Sequence, residues 1–299
     1  MPVHSVHPRP RTGMRGEASA GRGLYPRGPV RILPEYPRGH SQLQGAEIPV
    51  IAVTGLAVGF DGRTVLDGID LEVERGELMA VLGKNGCGKS VLLKTIAGLV
   101  AGYEGRILID GFDMRGYVPR AGERGSRPPF TLAYVFQKGG LFDSMNVFDN
   151  VAFGLRRRGE TEDDIVRKVT ESLSRVGLGG SEEKLPSELS GGMQKRVGLA
   201  RAMCLNPEVI LYDDPTAGLD PILSDSIADL ILEITRAYRT TSIVVTHDLA
   251  VVRKISHSVA LMYGGKIACR AATGDFFSRG NEFARQFIDG EMEGPIDIF

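Results

Sequence analysis

Length, composition and charge exclude several classes of protein. The chain has 299 residues, of which 42% are hydrophobic and 24% charged, so it can bury the core of one large domain or two small ones. Its formal net charge of -1 gives no excess of Lys and Arg to neutralise nucleic-acid phosphates, and we expect no nucleic-acid partner. No apolar run approaches the ~18 residues that span a bilayer, which predicts that any membrane role is peripheral.

The three cysteines, Cys87, Cys204 and Cys269, lie far apart in the chain. Their odd number and wide spacing fit neither a disulfide framework nor a zinc site. We therefore expect free thiols and a reducing setting.

The first 45 residues differ in composition from the rest of the chain. They hold seven Arg, no Lys, seven Pro and only two acidic residues, Glu17 and Glu35. Such a segment has too little apolar surface to offset the entropy lost on ordering, which predicts a disordered basic leader over residues 1 to 45. Three explanations stay open for it: an arm that touches anionic lipid, an organellar transit peptide, or a start codon assigned too far upstream.

From residue 51 onward, short β-branched runs alternate with amphipathic stretches, as in an α/β domain with a mostly parallel sheet. Buried strands are predicted in ELMAVLG (77–83), TLAYVFQ (131–137), EVILYDD (208–214) and TSIVVTHD (241–248), and a helix in SVLLKTIAGL (90–99). Between residues 137 and 206 helical periodicity replaces the strand signals. TEDDIVRKVTESLSRVG (161–177) opens with a Thr cap and an acidic first turn, so a helical insertion is expected inside the α/β core.

The segment GKNGCGKS (83–90) has the P-loop pattern G-x-x-x-x-G-K-S between a predicted strand and a predicted helix. Glycines let backbone N–H groups close around phosphate, and the helix N-terminus adds positive potential. Lys89 is then expected to reach the β and γ phosphates of ATP, and Ser90 to bind Mg²⁺. The nucleotide-binding residues predicted here are Gly83, Lys84, Asn85, Gly86, Cys87, Gly88, Lys89, Ser90 and Val91.

Two further segments support a phosphate site. The apolar run VILY (209–212) ends in Asp213, a carboxylate placed to hold the metal from a neighbouring strand. LSGGMQKRVGLARA (189–202) is a Ser-Gly-Gly turn that opens an amphipathic helix, which gives the chain a second anion-ready helix N-terminus.

With these three segments in place, the chain from about residue 51 resembles the ABC ATPases. The resemblance implies an α/β fold of P-loop NTPase type: an ABC cassette over residues 50–290 with an antiparallel β subdomain, a RecA-like core and an inserted helical subdomain at about 138–205. It places Phe60 on adenine, Gln137 at Mg²⁺, GLDP (218–221) in the D-loop, and His247 at the γ phosphate. It also implies that two copies sandwich ATP, with Ser190, Gly191 and Gly192 contacting the nucleotide of the opposite copy.

A narrower resemblance comes from VFQKGGLFDSMNVFDNVAFGLR (135–156) and FARQFIDGEMEGPI (283–296), which look like the Mla-type ATPases of lipid transport. It implies an integral permease partner, an MCE-type substrate-binding protein, and a peripheral place on the cytoplasmic face of a bacterial inner membrane. Leu141, Phe142, Met145, Val147 and Phe148 are expected either to line a groove for the permease or to belong to the core. The tail over 280–299 is expected to pack on a partner or on the cassette.

The residue after Asp213 departs from the family pattern, because Asp214 stands where Glu is usual. Asp keeps the charge that orients or deprotonates water, but it is shorter by one methylene, ~1.5 Å. A displacement of ~1 Å can cost about 10²-fold in rate. We expect an active ATPase with a rate that Asp214 reduces. The alternatives are a non-transport ABC ATPase and an ATP-binding regulatory subunit with little turnover.

Overall fold

The computed structural model of the chain describes residues 49–117, 128–278 and 280–296. The leader predicted over residues 1 to 45 lies outside them. The strands, in chain order, are β1 (Ile51–Phe60), β2 (Arg63–Val73), β3 (Leu78–Gly83), β4 (Glu104–Ile109), β5 (Phe112–Asp113), β6 (Leu132–Val135), β7 (Val209–Asp213), β8 (Thr241–Val245), β9 (Ser258–Tyr263) and β10 (Lys266–Ala272). The α-helices are α1 (Lys89–Ile96), α2 (Val147–Arg158), α3 (Glu162–Arg175), α4 (Gly191–Met203), α5 (Pro221–Tyr238), α6 (Leu249–Ile255), α7 (Thr273–Phe277) and α8 (Glu282–Asp289).

Four strands form an antiparallel sheet in the order β2, β1, β4, β5, which confirms the antiparallel subdomain. The β1–β2 hairpin turns at Asp61 and Gly62, whose φ angles are 49° and 78°. An Asp-Gly pair favours this tight turn because both positions need positive φ. The buried side chains of this sheet join Leu92, Leu93 and Ile96 of α1 in one apolar cluster, so the sheet packs against the helix after the P-loop.

The second sheet is a mostly parallel one in the order β10, β9, β3, β8, β7, β6. β3, β6, β7, β8 and β9 run parallel, and β10 pairs antiparallel at one edge. Every residue of β3, β7 and β8 is buried, as in parallel strands covered on both faces. The carboxyl ends of these three strands meet at one edge of the sheet, and the loops that follow them carry the predicted site residues.

The helix after the P-loop is shorter than the sequence pattern predicts. The pattern indicates residues 90 to 99, whereas α1 ends at Ile96. Gly98 has a φ of 72°, and its N–H donates back to the Thr95 carbonyl. A left-handed glycine just beyond the last turn ends a helix in this way.

The helical insertion consists of α2, α3 and α4. Each begins at a residue whose side chain accepts an N–H of the first turn: Asn146, Thr161 and Ser190. The predicted Thr cap at residue 161 is thereby confirmed. Within the part of the chain that the structure describes, no helix has both the length and the apolar character needed to cross a bilayer.

The loop before α2 is fixed by one buried side chain. The Asn150 carboxamide accepts the Phe142 N–H and donates to the carbonyls of Phe142, Met145 and Asn146, at 2.7 to 3.1 Å. Val147 is fully buried, so of the two places expected for it, a groove for the permease or the core, the structure supports the core.

The other groove residues divide by exposure. Leu141 and Phe148 are partly buried and pack against the core, whereas Phe142 is 41% exposed. Its ring centroid lies 4.7 Å from that of Phe153, and the Arg157 guanidinium lies 6.0 Å from the Phe153 centroid. Phe142 is therefore the residue of this loop that presents a large apolar surface to solvent.

The C-terminal elements pack on the cassette of their own chain. Phe276 and Ala284 are buried in the core cluster of the helical side, and Phe283 and Phe287, which α8 brings one turn apart, pack against it. The buried Gln286 carboxamide accepts the Ile296 N–H and donates to its carbonyl, at 2.7 and 2.9 Å. The tail was expected to pack either on a partner or on the cassette, and its described residues pack on the cassette.

Candidate nucleotide-binding site

The P-loop turns out of β3 on glycines that no larger residue could replace in place. A Cβ on Gly83 would lie 2.5 Å from the Met262 carbonyl oxygen, and one on Gly88 would lie 2.8 Å from a Leu66 methyl carbon. Both glycines have φ in the left-handed region, at 152° and 104°. The glycine spacing predicted from the sequence is therefore a steric requirement of this turn.

Lys89, the first residue of α1, closes the loop. Its Nζ donates to the carbonyls of Gly83 and Lys84 at 2.8 and 2.9 Å. The ammonium thus sits inside the ring of residues predicted to bind phosphate. The other predicted nucleotide-binding residues precede or follow Lys89 in the chain: Lys84, Asn85, Gly86, Cys87 and Val91. The first three of these are exposed.

Cys87 is half-buried against the start of the loop. A Cβ added at Gly83 would lie 2.7 Å from its Sγ. Burial raises the pKa of the Cys87 thiol, with the Lys89 charge opposing the shift. The thiol is therefore packed rather than activated.

Asp213 ends β7 and is held at both oxygens. Its Oδ1 accepts from the Ser90 Oγ at 2.6 Å, and its Oδ2 accepts from the Tyr134 hydroxyl at 2.8 Å. Burial, followed by the Asp213 charge, raises the pKa of Tyr134, so the phenol stays protonated and donates to the carboxylate. The predicted metal ligands Ser90 and Asp213 are therefore in direct contact.

Asp214 begins the loop after β7 in a left-handed conformation, with φ of 48°. Its N–H donates to the Val245 carbonyl at 2.8 Å, its Oδ1 accepts from the Thr246 hydroxyl at 3.3 Å, and its Oδ2 lies 3.1 Å from the His247 Nδ1. Asp adopts left-handed φ more readily than most residues because its short side chain bonds locally. The backbone thus gives a physical reason why the shorter acid is accommodated here.

The exposed fractions of this pair differ. The Asp214 side chain is 15% exposed, whereas that of His247 is 57% exposed. The Asp214 side chain is therefore largely enclosed beside the end of β8, whereas the His247 side chain faces solvent. Gln137 follows β6 and is exposed, and none of the contacts above includes it.

The Ser-Gly-Gly turn of residues 190–192, here called the signature turn, lies at the N-terminus of α4. The Ser190 side chain accepts the Met193 N–H at 3.3 Å, and its carbonyl accepts the Gln194 N–H at 2.9 Å. Gly191 is exposed, whereas Gly192 is buried, and a Cβ on it would touch the Leu223 side chain at 3.5 Å. The hydrogen bonds of Ser190 thus stay within its own helix.

The D-loop, residues 218–221, leads into α5 beside this turn. Asp220 caps α5 by accepting the N–H groups of Ile222 and Leu223 at 2.9 Å. Ile222 is among the exposed large apolar residues. The signature turn and the D-loop therefore form one outward-facing surface. Phe60, predicted to stack on adenine, is 46% exposed at the end of β1 and is available for such a contact.

Sequence reasoning missed two side chains of this site. Tyr134 was predicted only as part of a buried strand, and its contact with Asp213 depends on β6 lying next to β7.

The second is Lys195 of α4, which is 8% exposed and donates from Nζ to the Pro215 carbonyl at 2.9 Å. Burial lowers the pKa of Lys195, and the negative charge of Asp214 opposes the shift. A lysine on the apolar face of α4 was the only available signal.

Comparison with known proteins places these residues in a family. The ABC transporter family matches residues 66–217. The chain is 38% identical over 254 residues to the chloroplastic protein trigalactosyldiacylglycerol 3 of Arabidopsis thaliana, across 79% of this chain and 72% of that protein. It is 36% identical over 249 residues to the probable ribonucleotide transport ATP-binding protein mkl of Mycobacterium leprae, across 83% and 71%.

A solved structure supports the same family. That of cbiO1 from Clostridium perfringens, part of the ABC transporter complex cbiONQ, aligns with a TM-score of 0.67 and 29% identity over 80% of this chain and 95% of that one. The chain therefore belongs to the ABC transporter family, as an ATP-binding subunit of a transport complex.

Proposed function

We propose that this chain hydrolyses ATP and thereby powers a lipid transporter of the MCE-associated type. The observation that carries the hydrolytic part is the convergence of a P-loop lysine, a serine and two adjacent carboxylates at one edge of the parallel sheet. Ser90 contacts Asp213 at 2.6 Å, and Asp214 lies 3.1 Å from His247. These are the groups that phosphoryl transfer to water requires: positioned cations, metal ligands and a polar group for the attacking water.

Each residue has a proposed part in binding ATP. The backbone N–H groups of residues 86–91 surround the phosphates, and Lys89, held at the mouth of the loop, pairs with the β and γ phosphates. Phe60 stacks on the adenine. The ammonium of Lys89 stabilises the negative charge that spreads over the γ-phosphate oxygens as the bond to the β phosphate breaks.

The oxygens near the phosphate site fit Mg²⁺. A hydroxyl and a carboxylate, those of Ser90 and Asp213, are the hard ligands that this ion prefers, and their oxygens already lie 2.6 Å apart. Ser90 would bind the ion directly, Asp213 through water, and Gln137 would complete the set. When bound, Mg²⁺ neutralises part of the phosphate charge.

Asp214 is the proposed acceptor or orienting group for the attacking water, and His247 the sensor of the γ phosphate. The left-handed backbone of Asp214 and its bond to Val245 fix where the side chain begins, so from this backbone an Asp carboxylate reaches less far than a Glu carboxylate. Hydrolysis that is slower than with Glu follows from that shorter reach.

The second half of each ATP site is proposed to come from another copy of this chain. Ser190 and Gly191 are exposed at a helix N-terminus and lie beside the exposed Ile222. A head-to-tail dimer would cover this surface and bring Ser190, Gly191 and Gly192 to the γ phosphate of the opposite copy.

The transported substrate is proposed from resemblance. The ending FARQFIDGEMEGPI (283–296) and the segment 135–156 support the Mla type. The name of the Arabidopsis relative refers to a galactolipid, whereas that of the Mycobacterium relative refers to ribonucleotides. An integral permease, contacted around Phe142, and an MCE-type substrate-binding protein would complete the complex at the cytoplasmic face of the inner membrane.

The test is steady-state ATP hydrolysis by the purified complex with its permease, with Asp214→Asn and Asp214→Glu alongside the wild type. We expect wild-type turnover, a loss of about 10²-fold or more with Asn, and an equal or faster rate with Glu, because Glu restores the missing methylene. ATP affinity is measured for all three as the control. Equal rates for wild type and Asn would contradict a catalytic role of Asp214.

A second candidate function is an ATP-binding regulatory subunit with little turnover, favoured by the shorter acid at residue 214. A wild type as inactive as Asp214→Asn, with activity appearing only in Asp214→Glu, would establish it. Copurification separates the third candidate, a non-transport ABC ATPase, because ribosomes or DNA in place of a membrane permease would support it.

A further inference from the structure

Tyr134 touches the metal-binding carboxylate from a strand that carries no P-loop or signature residue. It lies in β6, which pairs in parallel with β7, and Tyr134 is opposite Leu211 in that pairing. Two residues beyond Leu211 is Asp213, whose Oδ2 accepts the Tyr134 hydroxyl at 2.8 Å. The phenol thus reaches across one strand spacing to the end of the neighbouring strand.

The contact completes the hydrogen bonding of Asp213. One carboxylate oxygen accepts from Ser90 and the other from Tyr134, and Asp213 as a whole is buried. A buried carboxylate needs a donor at each oxygen, and two donors from two directions fix the rotation of the group. The ring of Tyr134 is itself held, with its centroid 4.6 Å from that of Phe136.

We propose that Tyr134 is a positioning residue for Asp213, which keeps the carboxylate turned so that Oδ1 faces Ser90 and the metal of bound Mg·ATP. This inference rests on the proposed function, because it concerns the same metal site. Loss of the hydroxyl leaves Oδ2 without its donor and lets the carboxylate rotate away from Ser90. The cost falls on metal binding and not on adenine or phosphate contacts, which Asp213 does not make.

The chain supplies a matched control one strand away. Tyr212 immediately precedes Asp213, is fully buried, and has a hydroxyl without a hydrogen-bond partner among the described residues. Tyr212→Phe and Tyr134→Phe each remove one phenolic oxygen, from two adjacent strands. Only the second removes a hydrogen bond to Asp213.

The experiment measures Mn²⁺ binding by electron paramagnetic resonance in the presence of a non-hydrolysable ATP analogue, together with affinity for the analogue in EDTA. Tyr134→Phe is expected to weaken Mn²⁺ binding about tenfold, the lower end for a lost hydrogen bond to a charged group. The affinity of Tyr134→Phe for the ATP analogue in EDTA should stay within about twofold of the wild-type affinity. Tyr212→Phe should match the wild type in Mn²⁺ binding and in analogue affinity.

Adding Asp213→Asn closes a double-mutant cycle. In that background Tyr134→Phe should change Mn²⁺ affinity by less than about twofold, because the carboxylate it positions is gone. If loss of the hydroxyl prevents folding, replacement of Tyr134 by 4-aminophenylalanine, whose amino group stands where the hydroxyl was and can still donate to Asp213, is expected to bind Mn²⁺ like the wild type.

Three results would overturn the proposal: equal Mn²⁺ affinity in Tyr134→Phe and Tyr212→Phe, an undiminished effect in the Asp213→Asn background, or a 4-aminophenylalanine variant at residue 134 that folds but binds Mn²⁺ weakly. A wild type that binds no Mn²⁺ with the analogue would instead overturn the proposed function, and this inference with it.

Discussion

The helix N-termini of α1 and α4 both carry sequences predicted to bind phosphate, yet their polar groups are satisfied in opposite ways. At α1, Lys89 and Ser90 donate to loop carbonyls and to a carboxylate 123 residues away in sequence. At α4, the hydrogen bonds of Ser190 stay within its own helix, and Gly191 is exposed. The first end is organised by its own fold, whereas the second presents its donors outward. The difference teaches that one chain completes the P-loop half of a site by itself, whereas the turn at α4 stays open to another molecule, as the proposed dimer requires.

The largest effect is expected from disrupting the P-loop at the start of α1. Lys89→Met removes the ammonium from the phosphate loop, so we expect ATP affinity to fall by about 100-fold or more and hydrolysis to disappear. Lys94→Met, on the last turn of the same helix, is the matched control and should bind ATP like the wild type. Calorimetric titration measures both, and wild-type affinity in Lys89→Met would refute the assignment of this loop.

The next largest effect tests whether the P-loop and the signature turn of one ATP site come from different copies of the chain. Gly191→Arg fills the exposed turn of α4, so we expect hydrolysis to fall by about tenfold or more, while affinity at the P-loop stays within about twofold. Mixing it with Lys89→Met should restore hydrolysis, because one site of each mixed dimer then combines an intact P-loop with an intact signature turn. If the mixture hydrolyses no faster than the sum of its two components, the halves do not come from different copies.

The smallest effect concerns Lys195, a side chain of α4 that contacts the turn carrying Asp214 and Pro215. Lys195→Met leaves the Pro215 carbonyl without its donor beside Asp214, so we expect about fivefold slower hydrolysis with unchanged ATP affinity. Lys195→Gln keeps a donor and should recover most of the rate. Equal rates in the Met and Gln variants would show that the hydrogen bond to Pro215 does not position Asp214.

What the sequence predicted well is local in the chain. The P-loop reads as a strand, a glycine turn and a helix in one continuous segment, and the structure places Lys89 and Ser90 accordingly. The strand ends at Asp213 and before His247 were predictable for the same reason, since a buried apolar run followed by polar residues marks the edge of a parallel sheet.

What the sequence could not predict depends on which elements become neighbours. Tyr134 and Asp213 are 79 residues apart, and their contact requires β6 to lie beside β7. Lys195 and Pro215 meet only because α4 packs against the loop after β7. For Val147 the sequence left groove and core open, because an apolar residue at a helix start looks the same whether it faces solvent or, as here, the core.

The Gln286 carboxamide has a consequence for the motions of the chain. It bonds both main-chain groups of Ile296 as a neighbouring strand would, and its NH₂ also lies 3.3 Å from the Glu291 carbonyl. The segment 290–296 contains no helix or strand of its own, so these bonds couple its opening to that of α8. Amide hydrogens of Ile296 and of α8 are thus expected to exchange with solvent as a single cooperative unit, with the same opening free energy.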